Sequence, residues 1–302
     1  MEFREILEIL YYVLIKKNTL LLKKCGYDIK EKHFILLVLI SIIFGAFFGY
    51  FLSLSFRGIV LMCIIYFCFV VSYPKIIYEN LIEKLEKNIS KALYIMVLSL
   101  ESGRSINDAL KDVVNSDIKV VSPIFKKILL LMEKQKIRFE EAITIVSSFY
   151  DSKVLKMLSR IIIENRKSGG NLSESLRILA KTLDDFHLFK RQLLSVTATG
   201  IATGFVMLCL VVPAVSGILG GYIIATSSLL SQTGKAPPVN PEDLKRAIEI
   251  VQVGTAMLGA LFSIPIFGLK IERMFQVSAI TMTLGVIIFY LIVKFVPMMF
   301  KM

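Results

Sequence analysis

The sequence predicts an all-α polytopic membrane protein, with a six-helix cytoplasmic bundle between two N-terminal and about three C-terminal transmembrane helices. The 302 residues are 55% hydrophobic, with a mean hydropathy of +0.70 and a net charge of +12. Several uncharged runs reach the ~20 apolar residues that a bilayer crossing requires. Between these runs lies a charged segment, 75–192, whose apolar residues recur at helical spacing.

The composition also excludes several classes of protein. Positive charge combined with apolar excess is typical of membrane proteins with basic cytoplasmic parts, and no basic–aromatic patch or motif for nucleic acid is present. The four cysteines form no CxxC pair, and the two histidines, His33 and His187, lie far apart, so neither a disulfide, a metal site nor a cofactor is expected. Nucleotide-binding, GxSxG and HExxH motifs are absent, which predicts a protein without catalytic residues.

Residues 1–33 are predicted to form a cytoplasmic amphipathic helix followed by a basic segment. Apolar residues recur at helical spacing from Ile6 to Leu14, and six lysines lie between Lys16 and Lys32. Such a segment can lie on an anionic lipid surface, or its apolar face can pack on the protein's own domain. A cleavable signal peptide is not expected, because the first long apolar run begins only at Phe34.

Residues 34–74 are predicted to form a transmembrane hairpin. The runs Phe34–Phe56 and Gly58–Pro74 carry no charge, and Arg57 between them marks a short turn. The lysines that precede Phe34 indicate that this hairpin starts and ends in the cytoplasm.

The segment 75–192 is predicted to form the six-helix cytoplasmic bundle. Turn signals near residues 103, 117–121, 137, 151 and 169 divide it into three helical hairpins. One apolar stripe runs from Ile77 to Leu100. The last helix of the segment is expected to bury Leu176, Leu179, Leu183 and Phe186.

A short phrase recurs three times in this segment at steps of 33 residues. Its members start helices with a cap position and an acidic residue three positions later: Ser105 and Asp108, Arg138 and Glu141, Asn171 and Glu174. Two positions before the cap stand Gly103, Lys136 and Gly169, and Gly170 follows the last of these. Ser or Asn followed by an acid is the capping-box pattern, and glycine lets the chain turn out of the preceding helix. Equal spacing favours a true repeat over a coincidence of common helix-start chemistry.

The same segment carries 21 basic and 15 acidic residues, and therefore half of the net charge of the chain. This charge is either a solvated face or a docking surface for an acidic partner. The candidate docking residues are basic positions in and before the middle repeat, where charge replaces glycine and cap: Lys126, Lys127, Lys134, Lys136 and Arg138.

Residues 193–302 are predicted to form the C-terminal transmembrane region, with an outer loop at about 227–249. One span over 193–221, broken or kinked near Pro213, would give five spans; two spans hinged at Pro213 would give six. Runs 250–269 and 274–293 follow, on either side of a basic turn. Small residues at Gly200, Gly204, Gly217 and Gly221 predict close helix packing within the protein, between copies, or around another membrane helix.

The arrangement of spans and helical insert, together with the phrases SGRSINDAL (102–110) and KSGGNLSESL (167–176), resembles the platform proteins of type II secretion and type IV pilus systems. The resemblance covers about residues 81–219 and is strongest to the short tight-adherence members and their archaeal relatives. High Lys and Ile content without Trp also suits an archaeal thermophile. Many bacterial relatives have an acidic residue just before the last Ser-Gly, where this chain has Arg166 and Lys167, so an acidic contact is not carried over.

This resemblance implies a non-enzymatic core of the cell membrane, in contact with the lipid bilayer. It implies docking of a cytoplasmic secretion ATPase and passage of prepilin transmembrane helices onto a filament. Longer relatives carry two such domains, so a homo-oligomer or a pair with a paralogue is expected. The rival interpretation is a membrane subunit of a transporter or permease; the absence of charges from the centres of the spans argues against an ion relay but leaves a neutral pathway open.

Overall fold

The computed structural model describes residues 11–52, 54–232 and 240–299, and this part of the chain is almost entirely helical and contains no strand. The helices are α1 (Lys17–Lys24), α2 (Glu31–Phe51), α3 (Phe56–Glu101), α4 (Ile106–Asn115), α5 (Val121–Gln135), α6 (Phe139–Tyr150), α7 (Lys153–Ser168), α8 (Leu172–Val206), α9 (Val212–Gln232), α10 (Pro241–Phe267) and α11 (Ile271–Met299). π-helical turns at Tyr12–Lys16 and Met207–Val211 precede α1 and α9. The first ten residues of the amphipathic segment lie outside the described residues.

Five helical stretches are long and apolar enough to cross a membrane. They are Glu31–Phe51, Phe56–Glu101, Leu172–Ser227, Glu242–Phe267 and Ile271–Met298. The prediction of an all-α polytopic membrane protein is therefore confirmed.

The chain forms two compact units. One unit comprises Met1–Ile76 and Val196–Met302, and the other comprises Ile77–Ser195. We call the first the membrane unit and the second the helical unit. Helices α3 and α8 each contribute residues to both units, because neither helix ends where one unit gives way to the other.

The core of the helical unit forms from one apolar face of each of its six helical segments. In α3 the stripe read from the sequence is buried, with Leu85, Ile89 and Leu93 fully inaccessible. In α8 the residues Leu176, Leu179 and Leu183 join this core. The expectation for Phe186 is wrong, since its side chain is 62% exposed. The core ends at Leu183, and no later residue of α8 within this unit is buried.

The turn of the N-terminal hairpin lies earlier in the chain than the sequence predicts. Helix α2 ends at Phe51 and α3 begins at Phe56, so that Arg57 lies in the first turn of α3. The apolar residues Leu52 and Leu54 are buried in the core of the membrane unit. Their burial accounts for the turn, because an apolar loop is stabilised when it is removed from water.

Pro74 and Pro213 both lie within helices that continue through them. Helix α3 passes through Pro74 and is 46 residues long, although the second span was expected to end there. Pro213 lies in the first turn of α9, directly after the π-helical turn Met207–Val211. Proline removes a backbone donor and clashes with the carbonyl four residues earlier, and a π turn is one way to absorb this clash. The described chain contains no reversal at Pro213.

Helices also extend into the range expected to be an outer loop. Helix α9 reaches Gln232, and α10 begins at Pro241 with Asn240 as its N-cap. Proline at the first helical position and the acids Glu242 and Asp243 in the first turn both favour a helix start at this point.

Candidate functional site

The three copies of the repeated phrase begin with the same backbone conformation. Gly103, Lys136 and Gly169 have φ values of +78°, +53° and +66° and lie within two residues of the ends of α3, α5 and α7. At the first of these turns, the amide of Gly103 donates to the carbonyl of Leu100 (3.0 Å) and that of Arg104 to Ser99 (3.2 Å). This is the Schellman pattern of helix termination. Lys136 therefore adopts the same left-handed conformation as Gly103 and Gly169, although unlike these glycines it carries a Cβ.

The cap positions differ in how completely they are satisfied. Ser105 Oγ accepts a hydrogen bond from the amide of Asp108 (3.2 Å) and donates one to the carboxylate of Asp108 (2.6 Å). The hydroxyl holds the pKa of Asp108 below its ordinary value, because it stabilises the charged form. Arg138 makes no capping hydrogen bond through its side chain.

The third copy is capped by Asn171 and followed by a crowded glycine. Asn171 Oδ1 accepts hydrogen bonds from the amides of Ser173 (3.1 Å) and Glu174 (3.5 Å). A Cβ at Gly170 would lie 2.7 Å from Asn165 Oδ1, so that this glycine allows a close approach. The acids Glu141 and Glu174 are exposed in the first turns of α6 and α8, where they complement the positive end of the helix.

All five candidate docking residues are exposed, but the structure divides them into two groups. Lys127 and Lys134 line a groove of about 390 Å³ between α5 and α6, whereas Lys126, Lys136 and Arg138 lie outside its lining. Lys127 Nζ donates to Tyr150 Oη (2.6 Å) and lies over the Phe149 and Tyr150 rings, 5.4 and 5.0 Å from their centroids. Its ammonium group is therefore held in place at the edge of the groove.

Sequence reasoning missed the apolar lining of this groove. Leu130, Ile145 and Phe149 contribute to it, and each is more than one third exposed. A signal was present: Ile145 and Phe149 lie four residues apart on α6, outside the stripe that buries Ile143 and Val146. Helix α6 thus has a second apolar edge that does not face the core.

In the membrane unit, several of the predicted packing glycines are close to neighbouring helices. A Cβ at Gly204 would lie 2.1 Å from Phe262 Cε1, one at Gly217 would lie 3.1 Å from Ile292, and one at Gly221 would lie 2.7 Å from Val296. These glycines place α8 against α10 and α9 against α11. Gly200 has no heavy atom within 4 Å of its Cβ position, so its surface is not covered by a described residue.

Pro213 lies in the same packed region. The Cβ position of Gly285 on α11 is 3.3 Å from Pro213 Cγ and 2.9 Å from Thr255 Cγ2. Polar side chains also join helices of this unit: Gln252 Nε2 on α10 donates to the carbonyl of Gly58 on α3 (2.9 Å), and Thr281 Oγ1 on α11 donates to that of Thr255 on α10 (3.0 Å). Small residues and buried hydroxyl groups are the usual means of helix association in lipid.

An ion pair within the membrane unit shows which helix ends lie at the same end of the unit. Lys75 forms an ion pair with Glu272, which brings the turn between α10 and α11 to the end of the unit where Lys75 lies. Lys75 follows Phe56 by 19 residues, about 29 Å along a helix at 1.5 Å per residue. This length matches the ~30 Å hydrocarbon core of a bilayer. With five membrane crossings, Lys75 and the turn between α10 and α11 lie at the same side of the bilayer, which agrees with the ion pair between Lys75 and Glu272.

The comparisons with known proteins point to one family. The family model for type II secretion system (T2SS) protein F matches residues 92–220, which include all three copies of the repeated phrase. The chain therefore contains a domain of the type II secretion system protein F family. Proteins of this family are membrane platform proteins and not enzymes.

The similarity to one relative extends well beyond the matched domain. An uncharacterized protein of Methanocaldococcus jannaschii is 58% identical over 292 residues, which cover 97% of this chain and 98% of the relative. No solved structure matches the chain. The region matched by the protein F family model begins in α3 and ends in α9, and so contains residues of both units.

Proposed function

We propose that this chain is the platform of a type IV pilus-like or type II secretion machine in the cytoplasmic membrane. In this proposal a cytoplasmic secretion ATPase docks on the helical unit, and the membrane unit guides prepilin transmembrane helices from the lipid onto the filament. The observation that carries the proposal is the continuity of α3 and α8, each of which has residues in both units. A force applied to the helical unit acts on the same two helices that enter the membrane unit.

We propose that the N-terminus and the helical unit face the cytoplasm. The lysines that precede α2 and the basic turn Lys270–Arg273 support this orientation through the positive-inside rule. The ion pair between Lys75 and Glu272 supports it further, because it keeps the basic turn at the end of the unit where α3 leaves the span.

We also propose that the assembled platform contains either more than one copy of this chain or a paralogue. The chain carries one match to the protein F domain. The membrane unit offers exposed surface for such contacts, including the uncovered face at Gly200. An archaeal source fits the similarity to the Methanocaldococcus jannaschii protein.

The proposed docking surface can be tested with matched charge reversals. One variant changes Lys126, Lys134, Lys136 and Arg138 to Glu, and leaves Lys127 because it packs on Tyr150. A control variant changes exposed cations on other helices of the same unit to Glu: Lys153, Arg160, Lys167 and Lys181. Both variants carry the same change in net charge.

The full-length chain is reconstituted in nanodiscs, and its binding to the secretion ATPase of the same organism is measured together with capture of the prepilin. We expect the first variant to weaken ATPase binding by roughly 10-fold or more and the control to change it much less, because a local surface depends on position as well as on net charge. Equal effects of the two variants would reject the surface. A wild-type chain that binds neither the ATPase nor the prepilin would reject the proposed function.

A further inference from the structure

The groove between α5 and α6 leaves a continuous apolar surface open on the helical unit. Leu130 is 38% exposed, and Ile145 and Phe149 are each 47% exposed. All three line the same groove of about 390 Å³. Single exposed apolar residues are common, but a shared groove of this size is within the range of pockets that bind a ligand or a side-chain cluster.

The fold of the unit does not require this surface to be apolar. The residues of α6 that face the core are Phe139, Ala142, Ile143, Val146 and Tyr150, and they already bury one face of the helix. Ile145 and Phe149 lie beyond that face, on a unit whose sequence is rich in charge. Transfer of exposed apolar side chains out of water is favourable, so a partner that covers Ile145 and Phe149 gains free energy from their burial.

The edge of the groove is positively charged. Lys127 and Lys134 are seven residues apart on α5, which places them on one face of the helix and about 10 Å apart along its axis. The rings of Phe149 and Tyr150 and the hydroxyl of Tyr150 hold the ammonium group of Lys127 at this edge. None of the described residues that line the groove is acidic.

We infer that the groove binds an amphipathic helix of the docked ATPase, with an apolar stripe that enters the groove and carboxylates two turns apart that meet Lys127 and Lys134. This inference rests on the proposed function and names the chemistry of the partner segment. A helix that lays its apolar face in a groove presents side chains at i, i+3, i+4 and i+7. Two carboxylates at positions i and i+7 would match the spacing of the two lysines. The charges steer the helix and set its register, and the apolar contacts supply affinity.

Two pairs of variants of the full-length chain in nanodiscs test the inference. Ile145→Glu places a negative charge in the groove, and its control, Ile178→Glu, changes the repeat-equivalent residue 33 positions later, which is 58% exposed and lies outside the groove. Lys134→Glu reverses the charge at the edge, and Lys181→Glu changes an exposed lysine on α8. Circular dichroism melts verify that each variant is folded.

We expect each groove variant to weaken ATPase binding by roughly 10-fold or more, because an unpaired or repelling charge at a docked surface opposes association. The two controls are expected to retain wild-type affinity. Wild-type affinity of the folded groove variants would overturn the inference and leave the proposed platform function intact. Absence of ATPase binding by the wild-type chain would instead reject both.

Photo-crosslinking identifies the occupant directly. The residue at position 145 is replaced with p-benzoyl-phenylalanine, and the reconstituted complex with the ATPase is irradiated. A crosslinked ATPase peptide with helical apolar periodicity and two acids seven residues apart would support the inference. A crosslink to a second copy of this chain, to lipid, or to an ATPase segment without this pattern would overturn it.

Discussion

The contact between α10 and α11 at Gly259 is the sharpest test of the packing in the membrane unit. A Cβ at this position would lie 2.1 Å from Thr281 Oγ1 and 3.0 Å from Thr281 Cβ. Thr281 is fully buried, and its hydroxyl donates to the carbonyl of Thr255 at 3.0 Å. The substitution Gly259→Ala therefore forces the helices apart or displaces this hydroxyl.

The structure also supplies a matched control on the same helix. Gly254 lies five residues earlier in α10, and nothing lies within 4 Å of its Cβ position. In a helix interior, alanine is favoured over glycine by about 0.8–1.0 kcal/mol. Gly254→Ala should therefore leave the stability unchanged or raise it by up to about 1 kcal/mol.

For Gly259→Ala the same gain is opposed by two losses whose sum is larger. Overpacking of a close contact costs about 1–3 kcal/mol, and an interhelical hydrogen bond in a membrane protein contributes about 0.6 kcal/mol. We expect a net loss of roughly 1–2 kcal/mol. The double substitution with Thr281→Ala should be less destabilising than the sum of the two single changes, because it removes the hydroxyl that the new methyl group meets.

Thermal unfolding in detergent measures the difference. The chain contains no Trp, so circular dichroism is the appropriate signal. Hydrogen exchange of the α10 amides near Thr255 supplies a local measure of the same contact. Equal shifts for Gly259→Ala and Gly254→Ala, or a double variant no more stable than additivity predicts, would refute the packing argument.

Three further predictions concern single positions. Lys136→Gly should stabilise the end of α5 by roughly 0.5–1 kcal/mol, because it relieves a left-handed conformation that costs a non-glycine residue about 1–2 kcal/mol. Hydrogen exchange of the first amides of α6 should then become slower. Faster exchange of these amides would contradict the reasoning. Gly204→Ala should lower the melting temperature relative to Gly200→Ala, because only the former meets Phe262. The pKa of Asp108 is depressed in the folded protein, so its carboxylate should stabilise the start of α4 at pH values above the unfolded pKa of 3.8. This stabilisation should be lost as the pH falls through the lower folded pKa, and amide exchange in the first turn of α4, measured against pH, is the readout. Asp108→Asn or Ser105→Ala should remove this pH dependence.

The helical unit was largely predictable, because its signals are local. Caps at Ser105 and Asn171 and glycines at Gly103 and Gly169 act within one helical turn, so they can be read without knowledge of distant contacts. The middle copy shows the limit of such reasoning. At Lys136 the backbone keeps the left-handed turn although the residue type does not favour it, because the helices on either side fix its direction.

The groove could not be predicted with the same certainty, since it depends on which apolar residues the core leaves uncovered. Ile145 and Ile143 are the same residue type two positions apart, yet one is 47% exposed and the other is fully buried. Periodicity indicates that a helix has an apolar edge, but only the packing of α5 beside α6 decides whether that edge is covered.

Hydrophobic length, charge segregation and a 33-residue repeat are properties of the chain alone, and they were sufficient to predict the all-α membrane architecture and the resemblance to protein F. Three other features became visible only in the packed molecule: α3 continues through Pro74, Gly204 meets a neighbouring helix while Gly200 does not, and Lys127 is held by Tyr150. Those outcomes depend on contacts between residues far apart in the chain, and such contacts outweigh the local preference of any single residue.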